Sequence, residues 1–222
     1  QEQAQKHWAF LPPVSHALTD EPLHQSIDRL VKQKWREIEL EPAPAADRRT
    51  LTRRLYYDLL GLPPTWEELE SAINNSDERW LEMEIDRLMA SPHFGERMAR
   101  RWMDVARYAD NKGYVFQEDR EYAHAYRYRE WLIRSFNEDL PYKQFVLYQL
   151  SADQSDPENK QGYLDAMGFL TLGRRFLQNQ QDIIDDRIDV VSRGFLGLTV
   201  GCARCHDHKF DPISFDDYYG LY

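Results

Sequence analysis

Thiols are scarce in this chain. Of 222 residues only Cys202 and Cys205 carry one, too few for an iron–sulfur cluster, which normally takes four. No stretch of about 18 apolar residues occurs, so the sequence offers no transmembrane helix. Positive charge is in deficit. Lys and Arg number 28 against 38 Asp and Glu, a formal net charge of −10. That balance disfavours nucleic acid and anionic membrane as partners. It suits a basic redox partner, and equally a surface kept soluble by its charge. Strand-like alternation and internal repeats are both missing. Neither a signal peptide nor an initiating Met is visible, and the last residues read as a helix. The expectation is a piece of a longer exported protein, with no membrane insertion.

What is present is composed for a core. Hydrophobic residues make up 42 % and charged residues 30 %, as in a globular domain with a hydrophilic surface. The apolar spacing is helical almost throughout. Residues 26–38 predict a helix with Ser26 as its cap. Asp47 opens a second, stopped by Gly61 and Pro63-Pro64. Thr65 with Glu68 forms a capping box for a third. Helices are also predicted over 78–89, from His93 to Tyr108, over 126–137 and from Pro141. Residues 109–125 read as irregular, and 151–161 as a loop or domain seam. The stretch 182–199 predicts one helix, and Ser214 with Asp217 caps a last one. The expected fold is all-α, a single multi-helix domain over 1–222.

The two thiols stand in Cys202-Ala203-Arg204-Cys205-His206. Cys-x-x-Cys-His is the attachment signal of c-type haem. On one helical or tight turn, positions i and i+3 lie on the same side, so both sulfurs face a porphyrin edge. The adjacent His then supplies an axial nitrogen to iron. Other readings remain. A thioredoxin-like pair would sit near a β-α-β pattern, and none is found. A zinc site would draw Cys202, Cys205, His206 and His208 into seven residues. Haem c is attached outside the cytoplasm, so a periplasmic or extracytoplasmic location follows from the motif.

The run at 195–213 (FLGLTVGCARCHDHKFDPI), followed by Tyr218-Tyr219, resembles a planctomycete cytochrome-c-type family, classed as a domain of unknown function in very large exported proteins. Residues 8–13 (WAFLPP), 47–64 (DRRTLTRRLYYDLLGLPP), 91–97 (SPHFGER), 106–110 (ARYAD), 128–131 (YREW) and Phe136-Asn137 resemble it too. The resemblance covers nearly the whole chain. It implies an extracytoplasmic domain joined to further domains, and no known reaction.

Three functional classes follow. One is an electron-transfer domain working with a redox partner or neighbouring domains. The second is a peroxidase-like haem enzyme or small-ligand sensor with an open iron site. The third is a non-haem, metal-stabilised interaction module. In the haem readings His206 is the proximal iron ligand, and no Met follows it to serve as the sixth. His124 is a candidate distal ligand, and the expectation leans towards an open position. His93, His208, Tyr108, Tyr114 and Tyr128 are weaker candidates. Met98, Met103 and Met167 read as core fillers. Asp207 and Asp211 bracket the haem His as acceptors for its other ring N–H or as calcium ligands, or as part of a solvated turn. Arg127, Arg129, Arg174 and Arg175 are candidates for haem propionates. Asp182, Asp185, Asp186 and Asp189 share one helical face. They need neutralising by Arg174, Arg175, Arg187, Arg193 or a cation.

Overall fold

The computed structural model describes residues 6–13, 21–111, 121–155, 160–173 and 179–222. All regular structure among them is helical, with one isolated bridge between Asn111 and Glu121. None of these helices is long and apolar enough to cross a membrane. The chain divides into two compact units: Gln1–Asp47 with Phe210–Pro212, and Arg48–Lys209 with Ile213–Tyr222.

The smaller unit carries α1 (Leu23–Glu37). This helix begins three residues before the predicted cap, and Pro22 precedes it. Ser26 lies inside it, buried, and its hydroxyl donates to Glu21 Oε1 at 2.9 Å. The apolar spacing continues one turn N-terminal of Ser26, which the cap signal hid.

In the larger unit, α2 (Arg48–Leu59), α3 (Trp66–Asn74) and α4 (Trp80–Met89) form a first group. Gly61 ends α2 at φ 76°, its N–H returning to the Tyr56 carbonyl. This left-handed conformation costs glycine nothing. The capping box predicted for α3 is present, Thr65 Oγ1 accepting from Glu68 N at 3.2 Å and Glu68 from Thr65 N at 2.8 Å. Tyr56 joins the group. Its hydroxyl bonds Arg87 of α4, and its side chain is buried.

Burial pushes the Tyr56 hydroxyl up to about 12, against a smaller opposing pull from Arg87. Burial also raises Tyr108 to about 12, helped by its bond to Asp110. Both folded values lie above the unfolded value near 10. Their contribution is therefore intact below about pH 10 and is lost as pH rises towards 12. Urea unfolding followed from pH 8 to 11 will show stability falling above pH 10. The fall will be shallower in Tyr56→Phe, whatever that variant's stability at neutral pH. Equal slopes would contradict the burial argument.

The main core lies between α5 (Pro92–Val105), α6 (Ala125–Asn137) and α7 (Tyr142–Ser155). Ser91 caps α5, with Pro92 at its first position, where a missing N–H is harmless. The helices α5 and α6 touch at Gly95, where a Cβ would stand 2.5 Å from the Ile133 carbonyl oxygen. The Gly95 N–H donates to Asn137 Oδ1 at 2.8 Å, and Asn137 Nδ2 to the Pro92 carbonyl at 3.1 Å. Trp131, Leu132, Phe145 and Phe169 are buried together in this core. Within the apolar packing Gln149 is fully buried. Its Oε1 accepts from Trp102 Nε1 at 2.8 Å and from the Tyr128 hydroxyl at 2.7 Å. Its Nε2 donates to the Phe145 carbonyl at 3.0 Å. The network leaves no member unpaired, as a buried polar group requires.

The loop predicted at 151–161 is partly helix. Residues 151–155 continue α7 past a non-helical Ser151, and α8 begins at Lys160 (Lys160–Tyr163). A 3-10 turn, Leu164–Met167, leads into α9 (Gly168–Thr171). Residues 156–159 lie outside the described residues. The single helix predicted over 182–199 is shorter. It is α10 (Gln180–Val191), followed by a π turn, Ser192–Leu196. Gly197 at φ 67° closes that turn, its N–H returning to the Ser192 carbonyl.

Candidate functional site

After Gly197 the chain becomes irregular and then enters a 3-10 turn, Gly201–Arg204. A small apolar cluster holds this turn from below. Val200, Ala203, Ile188 and Tyr218 are buried together, with Ile184, Leu198 and Ile213 packed around them. Ala203 points inward with no exposed surface. Cys202 and Cys205, on either side of it, are exposed free thiols. The N–H of Ala203 bonds the Val200 carbonyl at 2.8 Å, and that of Cys205 the Cys202 carbonyl at 3.4 Å.

His206 is exposed, and its Nδ1 lies 2.8 Å from the Asp207 carbonyl oxygen. A carbonyl only accepts, so Nδ1 carries a hydrogen, and in the neutral ring Nε2 is then the nitrogen with the lone pair. A His prepared to bind metal through Nε2 has this arrangement. The donor set thus fits a covalent haem: two outward thiols and one imidazole of fixed tautomer. The carboxylate of Asp207 is used elsewhere, Oδ1 accepting the Phe215 N–H at 2.9 Å. That bond sits at the start of α11 (Phe215–Leu221). The predicted Ser214–Asp217 capping box is also present there. Backbone and side-chain bonds from Ser214 hold the Asp217 carboxyl below its usual range.

Most of the other predicted residues that the structure describes lie in the larger unit. His208 is buried, and its N–H donates to the Ile213 carbonyl at 2.8 Å. Asp211 belongs to Phe210–Pro212, which groups with the smaller unit. His124 precedes α6 and makes no side-chain capping bond. It lines a cleft of about 400 Å³ with Tyr122, Arg127, Tyr128, Asp165 and Thr171, and none of Cys202, Cys205 and His206 borders that cleft. Arg127 stands 3.9 Å from Asp165, and Arg129 lies 3.4 Å from Glu130. His93 Nδ1 is 2.8 Å from Glu96 Oε2 in the first turn of α5. Tyr108 bonds Asp110, and Tyr128 the buried Gln149. Met98 lines a second, apolar cleft of about 710 Å³ with Phe94, Trp102 and Phe136. Tyr114, Arg174 and Arg175 lie outside the described residues.

The carboxylates on the acidic face of α10 are paired with arginines, mostly ones the sequence did not suggest. Arg204 Nη1 donates to Asp185 Oδ2 at 3.0 Å, and its Nη2 stands 3.6 Å from Asp182 Oδ1. Arg107 Nε donates to both oxygens of Asp186, at 3.1 and 3.0 Å. Arg193 bonds Asp189 at 2.7 Å, as its i+4 spacing predicts. Arg187 does not take this part in the described contacts, and its Nε is buried without a hydrogen-bond partner among the described residues. Asp185 makes the Arg204 guanidinium hold its proton more tightly. Burial raises Tyr218, which bonds the same carboxylate. No group of three or more His, Cys, Asp or Glu among the described residues is placed to hold a metal ion.

A family model described as PSCyt2, protein of unknown function (DUF1549), matches residues 26–222. The chain belongs to this family. The PSCyt2 match takes in the last three turns of α1 and everything after it, including the Cys turn and α11. No curated protein and no solved structure matches the chain.

Proposed function

We propose that this PSCyt2 chain is a c-type cytochrome domain, a redox module of an exported multidomain protein of the planctomycete type. Cys202 and Cys205 would each add S–H across a vinyl group of haem, forming thioethers without a leaving group. His206 Nε2 would hold the iron. The bound group supplies one-electron exchange. The chain's own residues keep both thiols outward, bury Ala203 beneath them and fix the His206 tautomer through the Asp207 carbonyl. That last contact is the observation that carries the reading, because it leaves Nε2 as the donor beside two free thiols. The net charge of −10 favours a basic redox partner or neighbouring domain. The location is periplasmic or otherwise extracytoplasmic.

Protein matured by a competent haem-attachment system is the test. The expected product has a Soret band and a mass one haem above the polypeptide, resistant to acid-acetone extraction. A colourless product of bare polypeptide mass sinks the reading. Added carbon monoxide then separates its two forms. An unchanged reduced spectrum fits electron transfer, and a shifted one fits an open iron position.

A further inference from the structure

Arg204 is the residue between the inward Ala203 and the second thiol, and it is held at both of its ends. Its guanidinium reaches Asp185 and Asp182 of α10. Its carbonyl accepts the Tyr219 hydroxyl of α11 at 3.2 Å. The neighbouring Tyr218 hydroxyl donates to Asp185, on the oxygen that Arg204 leaves. One residue of the Cys turn is thus tied to the helix before it and to the helix after it.

Such ties matter for this kind of turn. A 3-10 segment has poorer hydrogen-bond geometry than an α-helix, and Gly201 adds backbone freedom. Its four residues do not fix the direction of two side chains unaided. The ion pairs themselves are about one-third exposed, so screening limits their contribution to stability. The planar fork of Arg gives direction instead. The group also has a net charge, two carboxylates against one guanidinium.

We infer that Arg204, clamped by Asp185 and the two tyrosines, is a positioning residue for the Cys202 and Cys205 thiols, and that the Asp182–Asp185–Arg204 group sets the potential of the redox centre they carry. The second half rests on the haem reading. A negative neighbour stabilises the oxidised, more positive iron and lowers the potential. Removing the Arg204 charge exposes two carboxylates, and removing that of Asp185 leaves a neutral pair.

The experiment compares wild type, R204Q, R204K and D185N. Amide hydrogen exchange at Ala203 and Cys205 needs no haem. Exchange there will speed by about tenfold in R204Q, the factor for a local opening made easier by about 1.4 kcal/mol, and by less in R204K. In haem-loaded protein the potential will fall in R204Q, rise in D185N and stay near wild type in R204K. A residue that merely supports the fold would move R204Q and D185N together. Unchanged exchange in R204Q overturns the clamp. Potentials that shift in one direction, or not at all, overturn the charge role. A wild type without covalent haem would instead fail the cytochrome reading, and the exchange result would still decide the clamp.

Discussion

Asp186→Ala will destabilise the larger unit by about 3 kcal/mol, the lower end of the range for breaking a buried ion pair. Arg107 explains the size. It follows α5 at φ 50°, a left-handed conformation uncommon for a residue with a Cβ. Its Nε and Nη2 both serve Asp186, while Nη1 serves the Ala106 and Phe169 carbonyls at 3.2 and 2.8 Å. The two side chains are only 24 % and 15 % exposed. Gly173 closes over them, since a Cβ there would stand 2.1 Å from Asp186 Oδ2. Removing the carboxylate leaves a guanidinium half-satisfied in a place water reaches poorly. At roughly 2–4 °C per kcal/mol for a chain of this size, Tm will drop by about 10 °C. Thermal and urea melts measure it. Arg107→Leu with Asp186→Leu will recover part of the loss, because neither charge is then stranded. A drop below about 1 kcal/mol in Asp186→Ala would show that the pair is solvated.

The second large effect concerns attachment. On the proposed cytochrome reading, Cys202→Ala with Cys205→Ala will abolish covalent haem, and each single variant will retain one linkage at reduced yield. His206→Ala will keep both thioethers but change the spectrum, because the imidazole donor is gone. Far-ultraviolet circular dichroism will stay at wild-type level in all four. Both thiols and the imidazole are exposed, so their loss opens no cavity. Mass spectrometry after acid-acetone extraction reads the linkage count, and the visible spectrum reads the ligand. Full haem retention in the double Cys variant would assign the cofactor to some other attachment.

Local signals were legible in the sequence where the chemistry was local. Thr65 with Glu68 and Ser214 with Asp217 marked helix starts that the structure reproduces, because a capping box closes within four residues. The pairing of Arg193 with Asp189 was legible for the same reason. The partners of the other carboxylates on α10 were not. Arg107 lies 79 positions from Asp186, and Arg204 19 from Asp185, and only tertiary packing brings them together. The extent of α10 was misread because Ile183, Ile184, Ile188, Val191, Phe195 and Leu198 keep an apolar rhythm past its end. A π turn and a left-handed Gly197 then redirect the backbone without breaking that rhythm. Spacing alone singles out Cys202, Cys205 and His206 as candidates, but it does not say that the group meeting His206 Nδ1 is the main-chain carbonyl of Asp207 rather than a carboxylate of Asp207 or Asp211.

Ala203 gives the generic pattern a local meaning. The two positions that Cys-x-x-Cys-His leaves blank are filled here by opposite kinds of side chain, one wholly buried and the other a charged fork reaching Asp185. An exchange of this pentapeptide for another of the same Cys-x-x-Cys-His pattern would keep both thiols and the imidazole and still lose the footing beneath them. In this chain the spelling of the motif belongs to the scaffold as much as to the cofactor.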